Sequence, residues 1–146
     1  MKSLLKSERG SSLLEFALVL PVLCVLLIGL IDLGRAAYYG ILASNAARAG
    51  AQYGSQNMST SGDASGIQNA VTADAPGIGW THVTTTQVCS VSGGALTTCS
   101  TGGNPLNTVY YVKVHVDGTF TSLIKYPGIP QNVPVGGDAV MRVTTQ

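Results

Sequence analysis

Charge is scarce in this chain. Only 10% of its 146 residues are Asp, Glu, Lys or Arg, and eight cations against seven anions leave a net charge of +1. A nucleic-acid binder needs a basic face to neutralise phosphates, and Lys113, Lys125 and Arg142 are too few to build one in the C-terminal part. Aromatics are also sparse at 6%, and there are three cysteines, no CxxC, and two histidines 33 positions apart, His82 and His115. Metal-ligand spacings are therefore missing. So are GxSxG, HExxH and the EF-hand calcium loop, and Gly93-Gly94 and Gly102-Gly103 are not followed by the Lys-Ser/Thr of a phosphate cradle. Asp63, Asp74, Asp117 and Asp138 each sit among Gly, Ala or turn residues, where capping and turn roles explain them. These absences predict a protein that is not an enzyme and takes no cofactor, metal or small-molecule substrate. The hydrophobic fraction of 45% excludes a disordered chain.

That apolar content is concentrated near the N-terminus. Leu13 to Ile31 forms a single run interrupted chemically only by Glu15. As a helix it would span roughly 29 Å, close to the ~30 Å hydrocarbon thickness of a bilayer. The alternative is a buried helix of a soluble core, against which stands a remaining chain too small and polar to wrap it. Pro21 is tolerated in a membrane helix. Gly29 and Gly34 are five apart and do not form a GxxxG pair. Lys2, Lys6 and Arg9 precede the run against Glu8 alone, so the N-terminus is expected in the cytoplasm and the remainder outside. The run exceeds the apolar core of a secretory signal peptide and lacks a well-formed cleavage pattern after it; cleaved secretion is the alternative, with Gly34 and Ala36-Ala37 as the nearest mimic of a cleavage site. A carboxylate at Glu15 is costly in lipid, which makes it a functional candidate. Proximity to headgroups and water is the plainer reading.

Beyond Arg35 the Ala-rich stretch to Ala51 predicts a helix that continues to Gly54, where Gly54-Ser55-Gln56-Asn57 ends it. Leu33, Ala37, Tyr38, Ile41, Leu42 and Ala49 recur near helical spacing and form the expected packing stripe, facing the chain's own C-terminal domain or a neighbouring subunit. Tyr38 and Tyr39 sit where an aromatic belt meets the outer interface. Met58 to Asp63 reads as a polar loop. Asp63 or Ser65 caps a short helix to about Ala73, and Ala75-Pro76-Gly77 stops it. Three strands are expected: Thr81 to Val91; Val109 to Phe120, with Tyr110, Val112, Val114 and Val116 on one face; and Ala139 to Thr144, with a start as early as Val133. Ser92 to Asn104 and Tyr126 to Pro134 read as connections. The fold class is α+β: a long N-terminal transmembrane helix followed by a small antiparallel sheet domain of about three strands.

Cys89 and Cys99 flank a short loop between strand candidates. In an oxidising compartment they are expected to form a disulfide, which in the chain-entropy model contributes roughly 2.5–3 kcal/mol for a loop of this size. A reduced or metal-binding pair is the alternative. Cys24 lies within the apolar run as a small apolar filler.

Gly10 followed by Glu15 and Phe16 resembles the processing site of type IV prepilins, cut after the Gly by a membrane prepilin peptidase. The longer string Arg9-Gly10…Glu15-Phe16-Ala17-Leu18-Val19-Leu20-Pro21, then Ile31-Asp32-Leu33-Gly34-Arg35, is similar to TadE-like proteins, pseudopilins of the tight-adherence (Flp) pilus system. The likeness continues through Asn45-Ala46-Ala47-Arg48-Ala49-Gly50-Ala51 and, more loosely, Ala139-Val140-Met141-Arg142-Val143. It implies a leader at 1–10, a transmembrane and extended helix at 11–54, and a periplasmic α+β domain at 55–146. It implies cleavage between Gly10 and Ser11, assembly through Glu15 and Phe16, and a place in the bacterial inner membrane. Its implied partners are the prepilin peptidase and other pilins or pseudopilins, with the chain acting as a minor pseudopilin or assembly protein. The competing reading is an unprocessed, signal-anchored periplasmic binding or adhesion module.

Overall fold

Among the described residues of the computed structural model, seven elements follow one another: α1 (Glu8–Gly54), α2 (Met58–Ser61), α3 (Ala64–Asp74), β1 (His82–Val91), β2 (Thr97–Thr98), β3 (Thr108–Thr121) and β4 (Asn132–Arg142). The structure describes residues 8–76, 82–91, 93–99, 108–125, 128 and 130–144. Most of the expected leader, Thr81, and parts of the two expected connections lie outside them. The chain divides into two units, Met1–Arg35 and Ala36–Gln146.

The first unit is helical wherever it is described, and α1 runs without interruption through Pro21. Its apolar side chains are not packed away: Leu13, Leu14, Phe16, Leu18 and the residues that follow to Leu30 are largely exposed. The 18-residue window most suited to a bilayer has none of its residues buried. A helix that is apolar all round and uncovered by protein has the surface a hydrocarbon environment accepts.

In the second unit the sheet order is β2-β1-β3-β4, and every neighbouring pair is antiparallel. The alternation expected in β3 is present. Val112, Val114, Val116 and Phe120 are buried, whereas Lys113 and Thr119 between them are exposed. The buried face meets the C-terminal part of α1. The core consists of Ala43, Ala46, Ala47 and Ala51 from α1, Ile67 and Val71 from α3, Ala75, the three β3 valines, Ala139 and Val143. Two backbone hydrogen bonds close the structure beyond β4. Val143 N donates to Tyr110 O (2.8 Å), and Thr144 N donates to Ser55 O (2.9 Å) just past the end of α1.

Three expectations need correction. The expected stripe on α1 is not the face that packs in this chain: Leu33, Tyr38 and Ile41 are 67%, 58% and 59% exposed. The buried face is Ala43, Ala46, Ala47, Gly50, Ala51 and Gly54, also at helical spacing but made of the smallest residues. The reason is the closeness of the sheet. A Cβ on Gly50 would lie 2.7 Å from Val71 Cγ2 and 3.3 Å from Val114 Cγ1, and one on Gly137 of β4 would lie 2.5 Å from the carbonyl carbon of Ala43.

Second, Met58–Ser61 is a one-turn helix, not a loop. Asn57 Oδ1 accepts from Thr60 N (2.9 Å) while Thr60 Oγ1 accepts from Asn57 N (3.1 Å), a reciprocal capping box. Gln87 Nε2 of β1 then donates to Ser61 Oγ at 2.8 Å. Third, the connection after β1 contains the two-residue strand β2, which pairs Thr97 with Cys89 and Thr98 with Val88, making four strands.

Asp63 is the N-cap of α3, where Oδ1 accepts from Gly66 N (3.0 Å) and Ser65 Oγ (2.7 Å). Its Oδ2 accepts from Tyr53 OH of α1 at 2.8 Å. The bond from Ser65, then those from Gly66 N and Tyr53, hold the Asp63 carboxyl down to about 2. The same pair pushes the Tyr53 phenol up. This cap therefore contributes fully above the ordinary carboxylate value and is lost only as pH falls through about 2.

Close approach makes a sharp prediction. Gly137→Ala places a methyl group against the backbone of Ala43 and should lower stability by about 3 kcal/mol. Gly40→Ala, where nothing lies within 4 Å of the new Cβ, should be neutral or raise it by up to ~1 kcal/mol. Urea unfolding of the detergent-solubilised chain separates the two. Equal effects would mean that β4 does not press on α1.

Candidate functional site

The residues singled out in the sequence occupy two regions that belong to different units. Gly10, Ser11, Glu15 and Phe16 all lie on α1. Helical geometry sets Glu15 one turn after the Ser11 nitrogen, so a free amine created at Ser11 would stand four residues before the carboxylate on the same helix. Glu15 and Phe16 are both exposed. Cys89 and Cys99 belong to the second unit, where β2 returns antiparallel to β1. They are joined by a disulfide with a Cα–Cα distance of 5.2 Å, and Cys89 is buried. Cys24 is a free thiol on the uncovered part of α1.

Two further polar arrangements were not anticipated. Asp32 follows the apolar run and is 6% exposed. Arg35 Nη1 donates to its Oδ1 at 2.9 Å. Opposite charges three apart on a helix were the available signal. The arrangement matters because a carboxylate at the edge of an apolar span is costly without a cationic partner.

The second arrangement is a histidine held between two aspartates on the open face of the sheet. His115 of β3 is the register partner of Asp138 of β4. Its Nδ1 lies 3.0 Å from Asp138 Oδ1, and its Nε2 lies 3.0 Å from Asp117 Oδ1. Lys113 Nζ is 3.8 Å from the same Asp138 oxygen. A neutral imidazole has one N–H and can donate to only one carboxylate, whereas imidazolium donates to both. The hydrogen bond to Asp138, reinforced by the charges of both aspartates and opposed by burial, raises the histidine above its ordinary value. The side chain of His82, whose backbone pairs with Asp117, lies outside the described residues. Among the described residues no group of three or more His, Cys, Asp or Glu could hold a metal ion.

These features define a class before a family: a small α+β protein with, among the described residues, one helix long and apolar enough to cross a membrane, which fits membrane anchoring. Residues 10–52 match the family model described as TadE-like protein. The N-terminal segment is thus similar to TadE-like proteins. That family is made up of pilus-associated structural proteins, not enzymes. The match covers most of α1, including Glu15, Phe16, Asp32 and Arg35, and does not extend to the Ala139–Val143 string. No curated protein and no solved structure matches the chain.

The His115 bracket predicts a pH dependence with a definite sign. A histidine raised on folding contributes stability that is complete below its ordinary value of 6.5 and lost as pH rises through the raised value. His115→Gln should therefore lower the melting temperature more at about pH 5.5 than at about pH 8.5. Equal losses at both pH values would show that the imidazolium form does not hold the strands.

Proposed function

We propose that this chain is a minor pseudopilin, or pilus assembly protein, of a tight-adherence (Flp-type) system. It is cut after Gly10 by a prepilin peptidase and acts from the inner membrane with its C-terminal domain in the periplasm. The observation that carries this reading is the coincidence of the TadE-like match at residues 10–52 with a single unbroken apolar helix. The Gly10…Glu15-Phe16 string stands at the head of that helix.

The chemistry follows from where charge is placed. Cleavage removes Lys2, Lys6 and Arg9 together with Glu8, leaving an amine at Ser11 as the cation nearest to Glu15 in sequence. When helices of neighbouring subunits associate, a carboxylate in apolar surroundings is tolerated if an amine from a neighbour meets it. Such a pair fixes the axial register of one helix against the next more than it adds to affinity. Phe16 and the exposed leucines after it supply the non-directional packing surface, and Glu15 supplies the stop that makes one register better than the rest. The partners of this reading are the peptidase and other pilins or pseudopilins of the same machinery.

Mass measurement of the chain extracted from membranes of cells with an active prepilin peptidase tests the processing step. The expected product begins at Ser11 and is lighter by the ten-residue leader, and Gly10→Leu should abolish the shift. An intact Met1 would overturn the reading in favour of an unprocessed, signal-anchored module. Glu15→Ala should still insert into the membrane but lose co-purification with the pilus machinery. Undiminished co-purification would remove the proposed role of the carboxylate.

A further inference from the structure

The tip of the β3–β4 hairpin stands at the end of the second unit from which the chain leaves for the apolar span. This follows from contacts within that unit. Along β3 from its start, the neighbours on α1 fall steadily in number. Val112 Cγ2 would lie 3.0 Å from a Cβ on Gly54, and Val114 Cγ1 would lie 3.3 Å from one on Gly50. Gly137, the register partner of Val116, presses on Ala43. Phe120 meets Tyr39 edge to face, with ring centroids 5.4 Å apart. Past Phe120 the hairpin narrows at Ser122 N–Gln131 O (2.9 Å). Leu123 and Ile124 follow, 62% and 41% exposed. The opposite end of the sheet, where Val91 pairs with Thr108, bears the turn that contains Gly93, Gly94 and Leu96.

We propose that Leu123, Ile124 and Lys125 form a second membrane contact, seated in the near leaflet of the bilayer that α1 crosses. This inference rests on the reading of α1 as a membrane span. Three observations favour lipid as the occupant. Tyr39, which Phe120 meets, is only eight residues in sequence beyond Ile31, the last residue of the apolar run. The charge pattern also fits. From Gly118 to Gly137 the sequence has no carboxylate, and Lys125 is its single charged side chain. Two apolar side chains beside one ammonium suit the boundary between acyl chains and phosphates: the aliphatic parts are buried and the cation reaches an anionic headgroup. The span itself holds the tip at high local concentration against the surface, so a weak contact suffices.

Depth-dependent fluorescence quenching in the full chain tests this. The chain's one tryptophan, Trp80, is replaced by Phe. A single Trp is then introduced as Ile124→Trp, Leu123→Trp, Leu96→Trp or Leu23→Trp, and each variant is reconstituted into vesicles of phosphatidylcholine and phosphatidylglycerol. Lipids brominated at the headgroup end of the acyl chain should quench the reporters at 123 and 124 by about twofold or more and leave that at 96 unchanged. The reporter at 23 should respond most to bromine near the chain ends. If 23 is quenched while 123 and 124 behave like 96, the hairpin contact is refuted and the span stands; the tip then serves a protein partner or none. If 23 is not quenched, the span itself fails and takes this proposal with it.

Discussion

The close approach of two backbones organises the second unit. Valines along one face of β3 and the pair Ile67 and Val71 on α3 bring bulk from one side. The α1 face that receives them has almost none, only Ala43, Ala46, Ala47, Gly50, Ala51 and Gly54. Bulk against smallness lets a sheet lie near a helix without voids, the dense packing that gives a small domain its stability. Gly137 carries the principle furthest, because there the sheet backbone meets the helix backbone directly. The larger apolar residues of the same helix, Tyr38 and Ile41, remain exposed. α1 thus has one face for its own domain and another left for its surroundings.

This division explains what could be read from the chain beforehand. Alternation in β3 was legible because each strand face has a uniform environment and valine declares which face is inward. The end of α1 at Gly54 and the capping role of Asp63 were legible because both are local, decided by residues within a turn of one another. The packing face of α1 was not. Helical periodicity is carried by large apolar side chains, and it points to Leu33, Tyr38 and Ile41, whereas the inward residues are those that make room. The helix at Met58–Ser61 was hidden by its polar composition, although Asn57 and Thr60 have the spacing of a reciprocal cap. The β2 pairing is a consequence of β1 and the neighbouring disulfide more than of its own two threonines.

The proposed assembly site and the His115 bracket contrast in the same respect. Gly10, Glu15 and Phe16 lie within seven consecutive positions, so their pattern survives in one dimension. Asp138 is 23 residues from His115 and becomes its neighbour only through the register of β3 against β4. No spacing rule finds such a pair, because the register is itself set by which residues face α1. The Asp32–Arg35 pair is intermediate. The spacing was visible, but the burial that gives the pair its weight was not.

The order in which the pieces are made gives the small-residue face of α1 one more consequence. That face is synthesised early, but its covering strands, β3 and β4, emerge more than fifty residues later. During synthesis Ile67 and Val71 of α3 reach this face first, whereas the valines of β3 and Gly137 of β4 arrive last, and long-range pairing of this kind closes slowly. If lipid holds the first half of α1, as proposed above, the helix has less freedom left to surrender when the sheet docks. Biogenesis at the membrane surface would thus shorten the search for the native arrangement, with the bilayer acting as the template on which the domain completes itself.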